Sequence, residues 1–168
     1  MSRNLQLFVV SLVAAWAMIP VMLRAGEPKE LKILASASDP NPVLVRLKQE
    51  DSGVVLRSAE ELVAHASKAS DAKDTAIQKA MAAELAKRLK VESIDWSKQM
   101  VLVVQGHGTK GEFGTIKFES ARIDGKVVTV EWKQENRVSL ASHDGPPTGF
   151  ALVERSEGEV KFVPAAKK

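Results

Sequence analysis

The stretch from Met100 to Trp132 limits this chain to a small set of folds. Met100-Val101-Leu102-Val103-Val104 is an apolar run of β-favouring residues, and a glycine-rich loop comes after it. Ile116 and Phe118 then alternate with Thr115, Lys117 and Glu119. Val128, Val130 and Trp132 alternate with Val127, Thr129 and Glu131. A period of two over both runs means strands with one covered face. Between them, Asp124-Gly125 is a two-residue turn signal, because glycine takes positive φ at little cost. These residues predict a β-meander.

The flanking sequence extends that reading. Val43 to Lys48 and Val54 to Arg57 flank the glycine-bearing loop 49–53 and predict a hairpin. Ser58 with Glu61 three residues later has capping-box spacing, so a short helix is expected over 59–67. After Asp71 to Asp74, the residues Ile77, Met81, Leu85 and Leu89 recur every four positions. That spacing predicts a second helix, with Lys87, Arg88 and Lys90 at its dipole-favoured end. Asp95 is expected to accept backbone N–H groups in a turn, with the ring of Trp96 buried beneath it. Phe150 to Arg155 and Val160 to Val163, joined by Ser156-Glu157-Gly158-Glu159, read as a last hairpin. The expected fold class is α+β. It has a predominantly antiparallel sheet of about seven strands, meander- or sandwich-like, and two early helices.

Residues 1–26 read as a targeting segment. Arg3 gives a short positive start, residues 5–23 are uncharged and mostly apolar, and Arg24-Ala25-Gly26 comes next. The expectation is a cleaved export signal, with a retained membrane anchor as the alternative, since a spanning helix needs roughly 20 apolar residues. The protein is therefore expected outside the cytoplasm, periplasmic or extracellular, touching a membrane only through that segment. Residues 27–42, with Pro28, Pro40 and Pro42, read as a linker. Residues 43–168 read as one domain.

Composition removes several functions. There is no cysteine, which excludes disulfides, thiol catalysis and zinc–thiolate sites. Setting Arg3 and Arg24 aside leaves 22 basic residues against 21 acidic ones. That balance gives no basic face for a phosphate backbone, and aromatics are sparse, so no nucleic acid is expected. Gly106-His107-Gly108-Thr109-Lys110-Gly111 matches a dinucleotide fingerprint, but Thr115 to Phe118 downstream alternate as a strand, whereas the fingerprint must open a helix. No cofactor is expected. The three histidines, His65, His107 and His143, lack metal-ligand spacing. Ser142-His143-Asp144 gathers hydrolase residue types, but neighbours on an extended chain point to opposite faces and form no relay.

The loop over 141–150 is the candidate recognition segment. Pro146 and Pro147 lower the entropy lost on binding, and loops on a rigid β scaffold often recognise partners. Together with the loop over 106–114, it nominates His107, Phe113, Pro146, Pro147 and Phe150 as partner-contact residues, with a place wholly in the core as the alternative for Phe150.

One family resemblance is carried by short motifs. These are the turn Asp95-Trp96-Ser97-Lys98, the strand from Met100 to Val104, the loop Lys110-Gly111-Glu112-Phe113 and the closing strand Phe150-Ala151-Leu152-Val153. Val54-Val55-Leu56-Arg57-Ser58 with Glu60 and Glu61 supplies an opening strand and helix. Through these, residues 54–163 resemble the C-terminal domain of PrcB, an accessory protein of an extracellular protease complex, and its exported bacterial relatives. Glu112 stands where that pattern has a second glycine, and Gly149 where a proline often precedes the aromatic. The resemblance implies a non-enzymatic binding or accessory role at the cell envelope, with a protein partner such as a protease and no catalytic residues. Two alternatives come from the loops: a protease inhibitor working through residues 144–149, and a small hydrolase using His107 or His143.

Overall fold

The computed structural model describes residues 28–39, 45, 47, 53–66, 72–107, 112–138 and 146–165. The expected signal or anchor segment, residues 1–26, lies outside them. In chain order the elements are β1 (Lys29–Glu30), β2 (Ile33–Asp39), β3 (Gly53–Leu56), α1 (Ala59–Ala66), α2 (Thr75–Leu89), β4 (Gln99–Gln105), β5 (Glu112–Asp124), β6 (Val127–Val138), β7 (Thr148–Glu154) and β8 (Glu159–Pro164). The fold is α+β, with two helices and eight strands among the described residues. One four-stranded sheet has the order β1-β5-β6-β8 and the other β2-β7-β4-β3. Every pairing is antiparallel except β6 with β8.

The second sheet is the middle layer of three, and the apolar run of β4 explains why. One set of alternate residues, Val101 and Val103, packs with Phe150 and Leu152 of β7 and with Leu62, Leu85 and Leu89 of the helices. The other set, Met100 and Leu102, packs with Ala151 and Val153 and with Ala121, Val128 and Val130 of the outer sheet. A strand covered on both faces needs apolar residues at every position, not at every second one. Each fully buried Val, Leu or Phe in these clusters is worth about 1.5–3 kcal/mol. The outer sheet has one wet face, so β5 and β6 alternate. On that face Lys117 pairs with Glu135 at 2.7 Å and Lys133 with Glu119 at 2.6 Å. Glu119 beside it holds the Lys133 ammonium above its ordinary range. The pairing register slips between Phe118 and Ser120. This bulge moves the inward positions of β5 from even to odd numbers, from Ile116 to Ala121 and Ile123.

Local chemistry sets the element ends. Ser58 Oγ accepts the Glu61 N–H at 3.1 Å, and Glu61 reaches back to the Arg57 N–H at 2.5 Å. Asp74 caps α2 by accepting from Ala76 and Ile77. Lys90 ends the helix in the left-handed region, and Val91 N–H closes onto Ala86 C=O at 3.0 Å. Arg88 in the last turn ion-pairs with Asp39 of β2 and with Glu84, fixing α2 to the edge of the middle sheet. In the turn before β4, Asp95 Oδ1 accepts from Ser97 N at 3.1 Å and Ser97 Oγ at 2.5 Å. These bonds hold the Asp95 carboxyl below its ordinary range. Trp96 is half-buried against the helix-side core.

Four expectations change. The run from Met100 to Trp132 is not one meander: β4 lies in the middle sheet between β7 and β3, and only β5 and β6 pair as consecutive strands, in the outer sheet. Within residues 27–42, expected as a linker, β1 pairs with β5 and β2 with β7, so the segment belongs to both sheets. It alternates, with Ile33, Ala35 and Ala37 turned toward the interior and Leu34 and Ser36 exposed, a strand signal that the flanking prolines concealed. Phe150 to Arg155 and Val160 to Val163 are not a hairpin. Both edges of β7 are taken by β2 and β4, so β8 crosses to the outer sheet and lies parallel to β6. The connection is held by Arg57, whose guanidinium donates to Ser156 O at 3.0 Å and Gly158 O at 2.8 Å. Finally, the turn between β5 and β6 is centred on Gly125-Lys126, one residue later than read. Asp124 pairs with Val127, and Gly125 has φ of 57°. The first strand of the expected 43–57 hairpin lies mostly outside the described residues.

Candidate functional site

The strand order brings the bases of the two candidate loops to one end of the sheets. β4 runs antiparallel to β7, with Gln105 opposite Thr148. The C-terminal end of β4, where the 106–114 loop begins, therefore lies beside the N-terminal end of β7, where the 141–150 loop arrives. Gly106 N–H donates to Pro147 C=O at 2.8 Å and extends the ladder by one rung. Ser38, near the end of β2, reaches the same corner, where its hydroxyl accepts the Ile116 N–H at 2.9 Å.

At this end the inward faces of the sheets stop being apolar. Along β6 the inward residues are Val128, Val130 and Trp132, all buried, and the next inward position is Gln134. Its side-chain amide pairs with the backbone of His107: His107 N–H donates to Gln134 Oε1 at 2.8 Å, and Gln134 Nε2 donates to His107 O at 2.7 Å. Glycines leave room for it. A Cβ at Gly106 would fall well under 3.0 Å from Gln134 Oε1, and one at Gly114 would lie 2.8 Å from Gln134 Nε2 and 2.6 Å from Pro147 Cγ. At these two positions glycine serves close approach. After Gly111 the chain enters β5 at Glu112, so the expected strand, and no helix, comes after the fingerprint.

The nominated contact residues separate into three groups. His107 is exposed at the end of β4, and Pro146 is half-exposed beside it, next to Pro147. Pro147 is buried, packed toward Gly114 with its carbonyl taken by Gly106. It supports the rim from inside. Phe113 lies in β5 opposite Arg137, at the same end. Phe150 is 0 % exposed and sits in the helix-side core with Val103 and Leu152. It is a core residue, not a contact residue, because even-numbered positions of β7 face the helices. His143 lies outside the described residues, and His65 is half-buried on α1.

Sequence reading missed Gln134. Its signal was a polar residue falling in phase with Val128, Val130 and Trp132, on the covered face of a strand. Two buried side-chain polar atoms, Trp132 Nε1 and Thr148 Oγ1, have no hydrogen-bond partner among the described residues. No group of three or more His, Asp or Glu side chains converges to hold a metal ion among the described residues, and no helix among them is long and apolar enough to cross a membrane. No protein-family model, curated protein or solved structure matches this chain.

Proposed function

We propose that this chain is an exported, non-enzymatic accessory domain that acts through protein contact at the cell envelope, in the manner its resemblance to the PrcB C-terminal domain implies. The contact surface in this reading is the end of the sandwich that presents His107 and Pro146, with the loops that leave from them. The observation that supports it is the joining of both loop bases to a rigid scaffold. Gly106 is bonded to Pro147, His107 is bonded twice to Gln134, and Pro147 is packed toward Gly114. Loops anchored at both bases lose less entropy on docking than loops hung from free ends. A protein partner, a protease among the candidates, is the occupant that fits an end built from backbone-anchored loops.

The test is recovery of a partner from envelope extract with the full chain as bait, compared with His107→Ala and Pro146→Ala. Both substitutions lie on exposed or half-exposed side chains and leave the core alone. A partner that is recovered by the wild type and lost with the two variants supports the reading. Equal recovery by all three places the contact elsewhere.

A further inference from the structure

We propose that Gln134 is the positioning residue of this surface: its side-chain amide acts as an extra rung of sheet and fixes the direction in which His107 leaves β4. The proposal rests on the reading of this end as the contact surface. The β4–β7 ladder ends at Gln105–Thr148 and the single Gly106–Pro147 bond, so His107 is the first residue past regular pairing. Its N–H and C=O would otherwise turn to water. Gln134 takes both, at 2.8 Å and 2.7 Å, as a neighbouring peptide group would. An amide on this half-buried inward position is a poor choice if filling space were the only need, because a donor or acceptor that loses water there needs a partner. Leu or Met fills the same volume without that demand. Here the amide oxygen and one amide N–H are both bonded to one peptide unit, and Gly106 and Gly114 give up side chains to admit the group.

Hydrogen exchange at the His107 amide of the full chain tests the proposal, with Gln134→Leu and Gln134→Glu as the variants. Gln134→Leu removes both bonds, and His107 exchange is expected to quicken by roughly tenfold or more, while Val103 and Leu152 keep their protection. Gln134→Glu keeps the acceptor but, when ionised, has no hydrogen to donate to His107 O. Its loss of protection should therefore be partial near neutrality and recover on acidification as the carboxyl protonates, a pH profile that a space-filling role does not produce. Should the leucine variant fail to fold, the glutamate variant still decides. Unchanged His107 exchange in the leucine variant, or a flat pH profile in the glutamate variant, overturns the proposal. So does full partner recovery by Gln134→Leu when His107→Ala abolishes it, which leaves the contact surface standing without its clamp. If none of the His107, Pro146 and Gln134 variants changes recovery, the contact-surface reading itself has failed, and Gln134 is only a rung of the fold.

Discussion

At Gly149 the middle sheet lies close against Ile116 and Phe118 of the outer sheet, and replacing it with alanine measures that approach. A Cβ at position 149 would lie 2.6 Å from Ile116 Cβ, nearer still to Ile116 Cγ2, and 3.1 Å from Phe118 Cε2. Carbon atoms prefer about 3.5–4.0 Å, so the overlap with Ile116 is about 1 Å. Rotation about χ1 moves Cγ2 but not Cβ, which is fixed to the backbone of β5. Relief requires β5 and β7 to separate, across a core that is packed on both sides. Overpacking of this kind costs about 1–3 kcal/mol, and the upper half of that range is expected here because backbone must move. Urea titration of Gly149→Ala should show a lower midpoint with an unchanged slope. Ile116 is 4 % exposed, so Ile116→Ala alone should cost about 2–4 kcal/mol by cavity formation. In the double variant the contact with Ile116 Cγ2 is gone, but Cβ of residue 116 remains on β5, so only part of the overlap is relieved. The combined loss should fall short of the sum by about 0.5–1 kcal/mol. A Gly149→Ala variant as stable as the wild type would show that these sheets do not meet at this point.

Three further outcomes are expected from the same geometry. Phe150→Ala should lose about 3–5 kcal/mol in urea titration, whereas a loss under about 1 kcal/mol would return Phe150 to the surface and undo its assignment to the core. Arg57→Met should free the carbonyls of Ser156 and Gly158 and lower stability by about 1.5–3 kcal/mol, with faster exchange at the Glu159 amide; a neutral result would mean that the crossing into β8 is held by something else. Asp95 titrates below its ordinary value of 3.8, chiefly because Ser97 hydrogen-bonds the carboxylate, so its folded pKa lies under the unfolded one. Its contribution is complete above the unfolded value and disappears as pH falls through the folded value. The stability gap between wild type and Asp95→Asn should therefore be constant near neutrality and close below about pH 4, and a gap that widens on acidification would contradict this sign.

Sequence pattern carried the outer sheet well, because β5 and β6 have one wet face and their period of two is visible. It carried the helices equally well, since Ser58 and Asp74 are local caps that need no tertiary information. What it could not carry was partnership between distant strands. Nothing near Val160 reveals that both edges of β7 are already occupied, so adjacency in sequence suggested a hairpin that the sheets do not contain. The 27–42 segment failed for a different reason. Its alternation is real, but Ala35 and Ala37 are small apolar residues, and the prolines beside them weighed more. Phe150 was misplaced because a glycine and two prolines precede it, which made the strand start look like loop. One step of parity counting from Leu152 places it on the helix face.

The two ends of the sandwich are closed by different chemistry, and the contrast bears on which end is built for recognition. At one end, Arg155 donates to the carbonyls of Arg57 and Trp96 at 2.9 Å and 2.6 Å, while Arg57 holds Ser156 and Gly158. These bonds join the end of β3, the turn before β4 and the crossing into β8, and guanidinium groups take up the carbonyls that the strands leave there. Bonds with a charged donor are roughly twice as strong as neutral ones, and here they tie backbone to backbone across elements. A partner seeking those carbonyls would first have to displace an arginine. At the other end the bases of the loops are held by neutral bonds, Gly106 to Pro147 and His107 to Gln134, and the side chains of His107 and Pro146 stay accessible above them. Contact with those side chains would break no bond of the scaffold, and the backbone beneath them is held in place. That division supports the proposed contact surface at the His107–Pro146 end. It also makes Gln134, which joins the buried face of β6 to the exposed rim, the residue whose loss should matter most there.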